Sequence, residues 1–299
     1  MASEYRRSHA ADPCPDGSSS PGQEQPALGQ ITDWSRGYLR RHPIAALETT
    51  GGQFALGVAA FRFLFVDIVT RRFPFTEFVR QSAFMAGTAV LPTLFVTVPI
   101  AVTLSIQFGL IAGQVGATSL AGAASGLAVI RQGAPLVAAT LMAAAVGSAI
   151  CADLGSRKIR DELDAMEVMG VSVIRRLVVP RLAAAMLVGV ALTGLTCFIG
   201  FLAGYVFNVF VQDGTPGSFV ATFASFATVG DMVLCLIKAT VFGAIVAIVG
   251  CHKGLDTRGG PGGVANAVNA SVVASILLLM IVNVLLTQMY ILLFPRYGF

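Results

Sequence analysis

The stretch DLGSRKIRDELDAMEVMG, residues 153–170, is a charged segment in a largely apolar chain. Together with the residues up to 181, it contains 11 of the 36 charged residues of the chain. Residues 81–152 before it contain one charged residue, and residues 182–212 after it contain none. Because a charged side chain at the centre of a bilayer costs about 2.5–3.5 kcal/mol, this segment is expected at a membrane surface between two spans.

The composition of the whole chain is that of a polytopic membrane protein. Of its 299 residues, 55% are hydrophobic and 12% are charged, whereas soluble domains contain about 25% charged residues. The net charge of +4 is too small and too dispersed to predict binding of nucleic acid. The five cysteines lack metal-ligand spacing, and the sequence contains no phosphate-binding loop and no Ser/His/Asp constellation. We therefore expect no cofactor bound by this chain and no enzyme.

Five apolar segments are long enough to cross a bilayer core of about 30 Å. They cover approximately residues 83–112, 133–152, 182–211, 226–251 and 264–294. Residues 113–132, rich in Gly, Ala and Ser, are expected to form an outer loop or a re-entrant turn. The predicted fold class is an all-α polytopic membrane protein with five transmembrane helices.

A sixth apolar stretch, residues 44–69, is interrupted by polar and charged side chains. Basic residues flank both of its ends, which places both ends on the same side of the membrane. This favours an interfacial or elbow-shaped element over residues 31–75, with a sixth crossing as the alternative. Residues 1–30 are polar and predict a disordered tail, so that residues 31–299 form the membrane domain.

The basic residues also predict the orientation of the chain. Eleven Lys and Arg residues lie on the side of the 153–181 segment, and only Arg131 and Arg296 lie on the other side. Cytoplasmic loops are enriched in Lys and Arg. We therefore predict a multi-pass protein of the plasma (inner) membrane with a cytoplasmic N-terminus, a cytosolic 153–181 segment and an external C-terminus.

Residues 157–170 have the pattern of an amphipathic helix. An apolar stripe at helical spacing is formed by Ile159, Leu163, Met166 and Gly170. Charged residues four positions apart are expected to pair, and Gly170 is expected to end the helix in a left-handed conformation. Because the five acidic residues of the 153–181 segment disfavour an anionic membrane surface, docking on a cytosolic protein is favoured over a solvated helix lying on lipid headgroups.

Lys238 is the only ionisable residue in the middle of a predicted span. Such a residue is a functional candidate by default. It is interpreted as a structural partner within a dimer, as a gating or headgroup contact, or as a snorkelling side chain. Small residues at 143–149 and at Gly194, Gly200 and Gly204 are typical of helix packing, with lining of a lipid portal as the alternative.

Three motifs resemble the MlaE/YrbE family of permeases: GSAICADLG at 147–155, RDELDAMEVMG at 160–170 and RLVVPR at 176–181. These permeases are membrane subunits of Mla- and Mce-type ABC lipid transporters. Further similar segments are LIK at 236–238, GGPGGVANAV at 259–268 and NVLLT at 283–287. The resemblance covers about residues 45–295 and is closest to the YrbE permeases of Mce-type lipid import systems of actinobacteria.

This resemblance implies a permease that forms half of a dimeric lipid pathway, with ATP hydrolysed by a separate cytosolic ATPase dimer. The implied partners are a second YrbE-type permease, periplasmic Mce-domain proteins and a lipid, which would be a fatty acid, a sterol or a phospholipid. It also implies a cytoplasmic elbow helix, five spans and an ATPase-coupling helix within 153–181. The coupling residues would be Ile159, Arg160, Asp161, Glu162, Leu163, Asp164, Met166, Glu167, Met169 and Gly170.

Two positions depart from the family pattern. The family commonly has Glu where this chain has Gln132, and it often has Asp in the last span where this chain has Asn283. A heterodimer in which the other permease supplies these acids is therefore expected. Lys238, Gln132 and Asn283 are the intramembrane polar or gating candidates. The alternative functions are an intramembrane lipid-modifying enzyme and a membrane scaffold that does not transport.

Overall fold

The computed structural model describes residues 51–67, 69–70, 74–114, 116, 121–211 and 215–293. The predicted polar tail, residues 31–50 of the predicted elbow, and Arg71, Arg72 and Arg296 lie outside the described residues. Within the described residues, all regular secondary structure is helical, which confirms the predicted all-α class.

Among the described residues, five helices are long and apolar enough to cross a membrane. They are Phe75–Gln114, Ala124–Ile159, Ile174–Phe210, Val229–Leu255 and Gly260–Leu293. Each overlaps one predicted span and extends beyond it at one or both ends, where the helices continue into flanks with polar or charged side chains. The predicted number of spans is confirmed.

The helices are numbered in chain order. Helix α1 covers residues 51–67, and α2 covers Phe75–Gln114. The second membrane helix consists of α3 (Ala121–Ala128), α4 (Ala134–Met142) and α5 (Ser148–Ile159), joined by π-helical turns at Val129–Gly133 and Ala143–Gly147. A short α6 (Glu162–Val168) precedes a third π turn (Ile174–Val178) and α7 (Val179–Val211). The remaining helices are α8 (Pro216–Phe226), α9 (Val229–Leu255) and α10 (Gly260–Leu293).

The predicted outer loop over 113–132 is wrong for residues 121–132, which are helical and continue into the second membrane helix. Gly126 permits close packing, since a Cβ there would collide with the ring of Phe223 in α8. The sequence did not predict α8, because Pro and Gly at its start are typical of a turn. Pro216 instead occupies the first turn of the helix, where its missing N–H is not needed.

The core lies where α7 and α9 pack against each other and against the second membrane helix. Met142, Leu182 and Phe242 are almost completely buried there. Small residues bring the backbones close, since a Cβ on Gly243 would lie 2.5 Å from the carbonyl oxygen of Ala185. This close packing fixes the relative positions of the polar side chains described below.

Both ends of α1 contact the same end of the bundle. A Cβ on Gly52 would lie 2.6 Å from Nε2 of His252, which is close to the end of α9. The buried carboxylate of Asp67 accepts a hydrogen bond of 3.1 Å from Nε of Arg175, just before α7. The interfacial or elbow-shaped element over residues 31–75 stays a prediction. We call this end of the bundle the basic end, because it also carries Arg80, Arg157, Arg181 and Lys253.

Candidate functional site

Lys238 lies in α9 and is completely buried. Its Nζ donates hydrogen bonds to the carbonyl oxygen of Arg131 (3.0 Å), to Oε1 of Gln132 (3.1 Å) and to Oγ1 of Thr287 (2.8 Å). Three acceptors match the three N–H donors of an ammonium group. The snorkelling interpretation of Lys238 is therefore wrong, because the amine is held inside the bundle by its own chain.

The backbone of the second membrane helix positions two of the three acceptors of Lys238. Residues Val129–Gly133 form a π turn, in which the N–H of Ala134 donates to the carbonyl oxygen of Val129, five residues earlier. A π turn displaces the regular pattern of hydrogen bonds and is frequent at functional sites. Here the turn contains both Arg131, whose carbonyl oxygen accepts from Lys238, and Gln132, whose side chain does the same.

Arg131 forms an ion pair beside the Lys238 hydrogen bonds. Its Nε lies 2.8 Å from Oδ1 of Asp231, whose carboxylate is almost completely buried. The other oxygen of Asp231 accepts hydrogen bonds from the backbone N–H (3.2 Å) and the hydroxyl (2.8 Å) of Thr228. Asp231 therefore caps the start of α9 and also neutralises Arg131.

Asn283, the third predicted residue, lies on the buried face of α10 one helical turn from this network. Its backbone oxygen accepts a 2.7 Å hydrogen bond from the hydroxyl of Thr287, which also accepts from Lys238. Its side-chain Oδ1 is buried and has no partner among the described residues. The structure thus brings Lys238 and Gln132 into direct contact and connects Asn283 to them through Thr287.

An apolar cavity of about 310 Å³ adjoins this polar network between α3, α7, α8 and α9. Val129 and Ile130, which precede Arg131, line it, as does Cys235, one turn before Lys238. Its other lining residues are Ser105, Ser125, Gly126, Thr193, Gly194, Cys197, Phe198, Gly200, Phe201, Gly204, Phe219, Phe223, Met232 and Leu236. The cavity lining is largely apolar, and the polar network lies next to it in the sequence, so that the region as a whole combines apolar and polar groups.

Some of the small residues singled out in the sequence allow helices to pack closely, and three of them line the cavity. Gly194, Gly200 and Gly204 all line the cavity. Gly200 also permits packing, since a Cβ there would lie 2.8 Å from Cγ1 of Val129. Within the 143–149 run, a Cβ on Gly147 would lie 3.2 Å from Cγ1 of Val246, so this position serves close packing of α9.

The charged 153–170 segment is not one continuous helix, contrary to the prediction. Helix α5 ends at Ile159, and Asp161 adopts a left-handed conformation with φ of 58° before α6 begins. Gly170 has φ of 76°, and the N–H of Val171 donates to the oxygen of Met166, which confirms the predicted glycine cap of α6. The ion pairs change accordingly. Arg157–Asp153 has the expected spacing of four residues, whereas Lys158–Asp164 and Arg160–Glu162 have spacings of six and two.

The break also changes the predicted docking stripe. Leu163 is only 3% exposed because α6 folds back onto α5, so its side chain packs inside this chain. Ile159 is 37% exposed, Met166 is half-buried and Gly170 is exposed. Within the charged segment, the most exposed apolar side chains are those of Val168 (89%) and Met169 (70%). A partner at this surface would meet the end of α6 and not Leu163.

Sequence reasoning missed the contacts that connect the helices at the basic end. Arg181, at the start of α7, pairs with Asp153 of α5, and Arg157 lies 3.3 Å from the same carboxylate. Asp231 and Tyr290 were also missed as members of the intramembrane network, in which the Tyr290 hydroxyl lies 3.5 Å from Asp231 Oδ1. The available signal was an acidic residue within the first turn of an apolar span.

Comparison with known proteins places this arrangement in a family. Residues 78–289, more than two thirds of the chain, match the family model described as Permease MlaE. The chain belongs to the MlaE permease family. The predicted MlaE/YrbE relationship is thereby confirmed, while the actinobacterial Mce-type subtype stays a prediction.

Several known proteins are similar to part of the chain. A probable ABC transporter permease protein of Synechocystis sp. is 37% identical over 172 residues, which are 58% of this chain and 65% of the relative. A probable ABC transporter permease protein of Rickettsia prowazekii is 30% identical over 164 residues, which are 55% of this chain and 63% of the relative. Protein TRIGALACTOSYLDIACYLGLYCEROL 1 of Arabidopsis thaliana is 29% identical over 190 residues, 62% of this chain and 53% of the relative.

The chain therefore spans somewhat less than two thirds of the length of these relatives. The names of the family and of the ABC-type relatives describe permeases and not an enzyme, in agreement with the prediction. Five membrane-length helices and the family together make this a multi-pass membrane protein of the permease type.

Proposed function

We propose that this chain is one of two permease subunits of an ABC-type lipid transporter in the plasma (inner) membrane, with ATP hydrolysed by a separate cytosolic ATPase dimer. The observation that carries the proposal is the apolar cavity beside the buried Lys238 network, inside a bundle of membrane-length helices. Membership of the MlaE permease family supports the transporter class. The Arabidopsis relative has a glycolipid in its name, which supports lipid as the class of substrate.

The cavity favours a substrate with an apolar body. Its volume of about 310 Å³ lies at the lower end of the range of ligand pockets. Acyl chains and sterol rings would occupy the chamber, while the network of Lys238, Arg131 and Gln132 would contact a polar headgroup or gate the pathway. A fatty acid, a sterol and a phospholipid all combine an apolar body with a polar group. Import is the direction of transport proposed from the resemblance to Mce-type systems.

The proposed second permease is a non-identical chain. Gln132 accepts a hydrogen bond from Lys238 through an amide oxygen, where the resemblance leads us to expect a glutamate. Asn283 stands in place of an expected aspartate, and its Oδ1 has no partner among the described residues. A heterodimer whose other permease carries these acids would complete the network, with Mce-domain proteins docked on the periplasmic side.

The proposed contact with the ATPase is the 153–181 segment on the cytosolic side. Exposed Val168 and Met169 would fill an apolar groove of the ATPase, and the charges around α6 would fix the register. The exposed members of the predicted coupling set keep this proposed role, whereas Leu163 supports the segment from inside.

Purification of tagged permease from its native membrane, followed by mass spectrometry, tests the composition of the complex. An ATPase and a second, different permease are the expected partners. Recovery of two differently tagged copies of this chain in one active complex, without a second permease, would refute the heterodimer. Absence of any ATPase would favour the alternative function of a membrane scaffold that does not transport. Lipid that is chemically altered without ATP would favour the alternative of an intramembrane lipid-modifying enzyme.

A substitution that fills the cavity tests whether lipid passes through it. Gly194 lines the cavity and a Cβ there meets no atom within 4 Å, so Gly194→Leu introduces a large side chain at a position that is open at Cβ. Gly87 of α2 is equally open but lies outside the cavity, which makes Gly87→Leu the matched control. In proteoliposomes containing the whole complex, Gly194→Leu should reduce ATP-dependent lipid movement at least severalfold while the ATPase stays bound. Equal transport by both variants would show that lipid does not pass through this cavity.

A further inference from the structure

A second cavity of about 300 Å³ lies at the basic end between the start of α2, the end of α5 and the start of α7. Three arginines line it, together with Gln81, Asp153 and a short apolar floor. The complete lining is Arg80, Gln81, Phe84, Ala149, Ile150, Asp153, Arg157 and Arg181. It shares no residue with the apolar cavity beside Lys238.

Nearby carboxylates satisfy these arginines only in part. Arg80 lies 2.8 Å from Glu77 and is 70% exposed, while Arg157 lies 3.3 Å from Asp153 and is 31% exposed. Arg181 pairs with Asp153 through Nη2, but its Nη1 is buried and has no hydrogen-bond partner among the described residues. Three guanidinium groups around two carboxylates leave one positive charge and several N–H donors available to an anion.

Glu162 is the other carboxylate within reach, and it does not cancel this charge. Its Oε2 lies 4.0 Å from Arg157, whereas its Oε1 accepts a 2.8 Å hydrogen bond from Arg160. Glu162 is therefore committed to an arginine outside the cavity. Guanidinium groups bind phosphate oxygens in bidentate geometry, so the available donors fit a phosphate group well.

The apolar surroundings distinguish a lipid from a free ion. Phe84 lines the cavity and is 56% exposed. Leu91 and Phe95, seven and eleven residues further along α2, are 61% and 67% exposed and continue the same helical face away from the basic end. A ligand with its phosphate among the arginines would thus have a continuous apolar track for an acyl chain.

We propose that this cavity binds the phosphate of an anionic membrane-lipid headgroup, with the acyl chains lying along α2. The bound lipid lies on the outer surface of the bundle and not in the apolar chamber. The proposal therefore goes beyond the transport function and does not depend on it. Loss of this lipid would leave the Lys238 network and its adjoining cavity intact.

The experiment measures stabilisation of the purified, delipidated full-length chain in neutral detergent. Phosphatidylglycerol, diacylglycerol with the same acyl chains, and sodium phosphate are added separately at constant ionic strength, and the midpoint of thermal unfolding is recorded. A ligand that binds only the folded state raises this midpoint. Phosphatidylglycerol should raise it, and the other two compounds should leave it unchanged.

Variants assign the effect to the cavity. Arg80→Gln/Arg157→Gln removes two of the three guanidinium groups and should weaken phosphatidylglycerol binding about tenfold or more. Arg80→Lys/Arg157→Lys keeps the charge and should restore part of the affinity, which separates lost binding from misfolding. Arg258→Gln removes a positive charge from a side chain that is 90% exposed and outside the cavity; this control should bind like the unchanged protein.

Four results would overturn the proposal. Equal stabilisation by diacylglycerol would show that the arginines do not contribute, and equal stabilisation by sodium phosphate would identify a soluble anion as the ligand. Unchanged binding by Arg80→Gln/Arg157→Gln would place the lipid elsewhere. Loss of the co-purified ATPase from this variant, with lipid binding retained, would assign the arginines to a protein contact.

Discussion

Lys238 combines full burial with a complete set of acceptors, and this combination explains how an amine persists among apolar helices. An ionisable group inside a membrane is expensive unless other groups pair with it. Here a backbone carbonyl oxygen, an amide oxygen and a hydroxyl surround Nζ at 2.8–3.1 Å. The acceptors come from the second membrane helix and from α10, so one side chain connects three of the five membrane helices.

Replacement of Lys238 by Met should therefore destabilise the protein. Methionine fills a similar volume but leaves the carbonyl of Arg131 and the amide of Gln132 without this donor, which costs about 1–3 kcal/mol. The free energy of unfolding in detergent is the measurement. Lys253→Met, at the half-buried end of the same helix, is the control and should change stability little. Equal stability of Lys238→Met and the unchanged protein would show that the three hydrogen bonds contribute nothing net.

The residues of this network differ in how far the sequence alone predicts them. Lys238 was predictable because a lysine within an apolar span is rare, and Gln132 and Asn283 because they depart from a family pattern. Asp231 forms its ion pair with a residue 100 positions away. No pattern in one sequence tells which faces of two apolar helices pack together, so this partnership appears only in the structure.

At the scale of helices, the charged segment shows how local chemistry ends a helix. The left-handed conformation of Asp161 separates α5 from α6, and Gly170 ends α6 in the conformation that glycine adopts most easily. The glycine cap was predictable from residue type. The break at Asp161 was not, because the apolar spacing across 157–170 fits one continuous helix equally well.

Two substitutions in this segment should have opposite effects. Leu163→Ala truncates a buried side chain and should lower the free energy of unfolding by about 2–5 kcal/mol. Val168→Ser changes a side chain that is 89% exposed and should leave stability unchanged while reducing recovery of the ATPase with the tagged permease. Thermal unfolding and co-purification are measured on the same preparations. Full recovery of the ATPase with Val168→Ser would remove the end of α6 from the proposed interface.

The number of spans was predictable because membrane thickness fixes the length of an apolar helix. The extra helices were harder to predict. Residues 121–132 and α8 contain small residues and a proline that also suit a loop, and the two segments pack closely where Gly126 meets the ring of Phe223. Tertiary packing thus decided the structure where composition was ambiguous.

At the scale of the whole molecule, the distribution of charge gives the bundle a direction. The basic end holds α1 through the Asp67–Arg175 pair, and it holds α5 against α7 through Asp153 and Arg181. The opposite end carries α8, whose described residues have no charged side chain. This asymmetry is what the positive-inside rule requires of a protein with its basic end in the cytoplasm.

Cysteine labelling tests this orientation in intact cells. In a variant without the five native cysteines, Ala165→Cys places a thiol on exposed α6, and Gly217→Cys places one at the open start of α8. Because α7 crosses the membrane between them, a membrane-impermeant maleimide should label Gly217→Cys directly and Ala165→Cys only after permeabilisation. The parent without cysteines shows the background. The opposite pattern would invert the orientation while keeping the number of spans, and labelling of both thiols from outside would contradict a membrane crossing by α7.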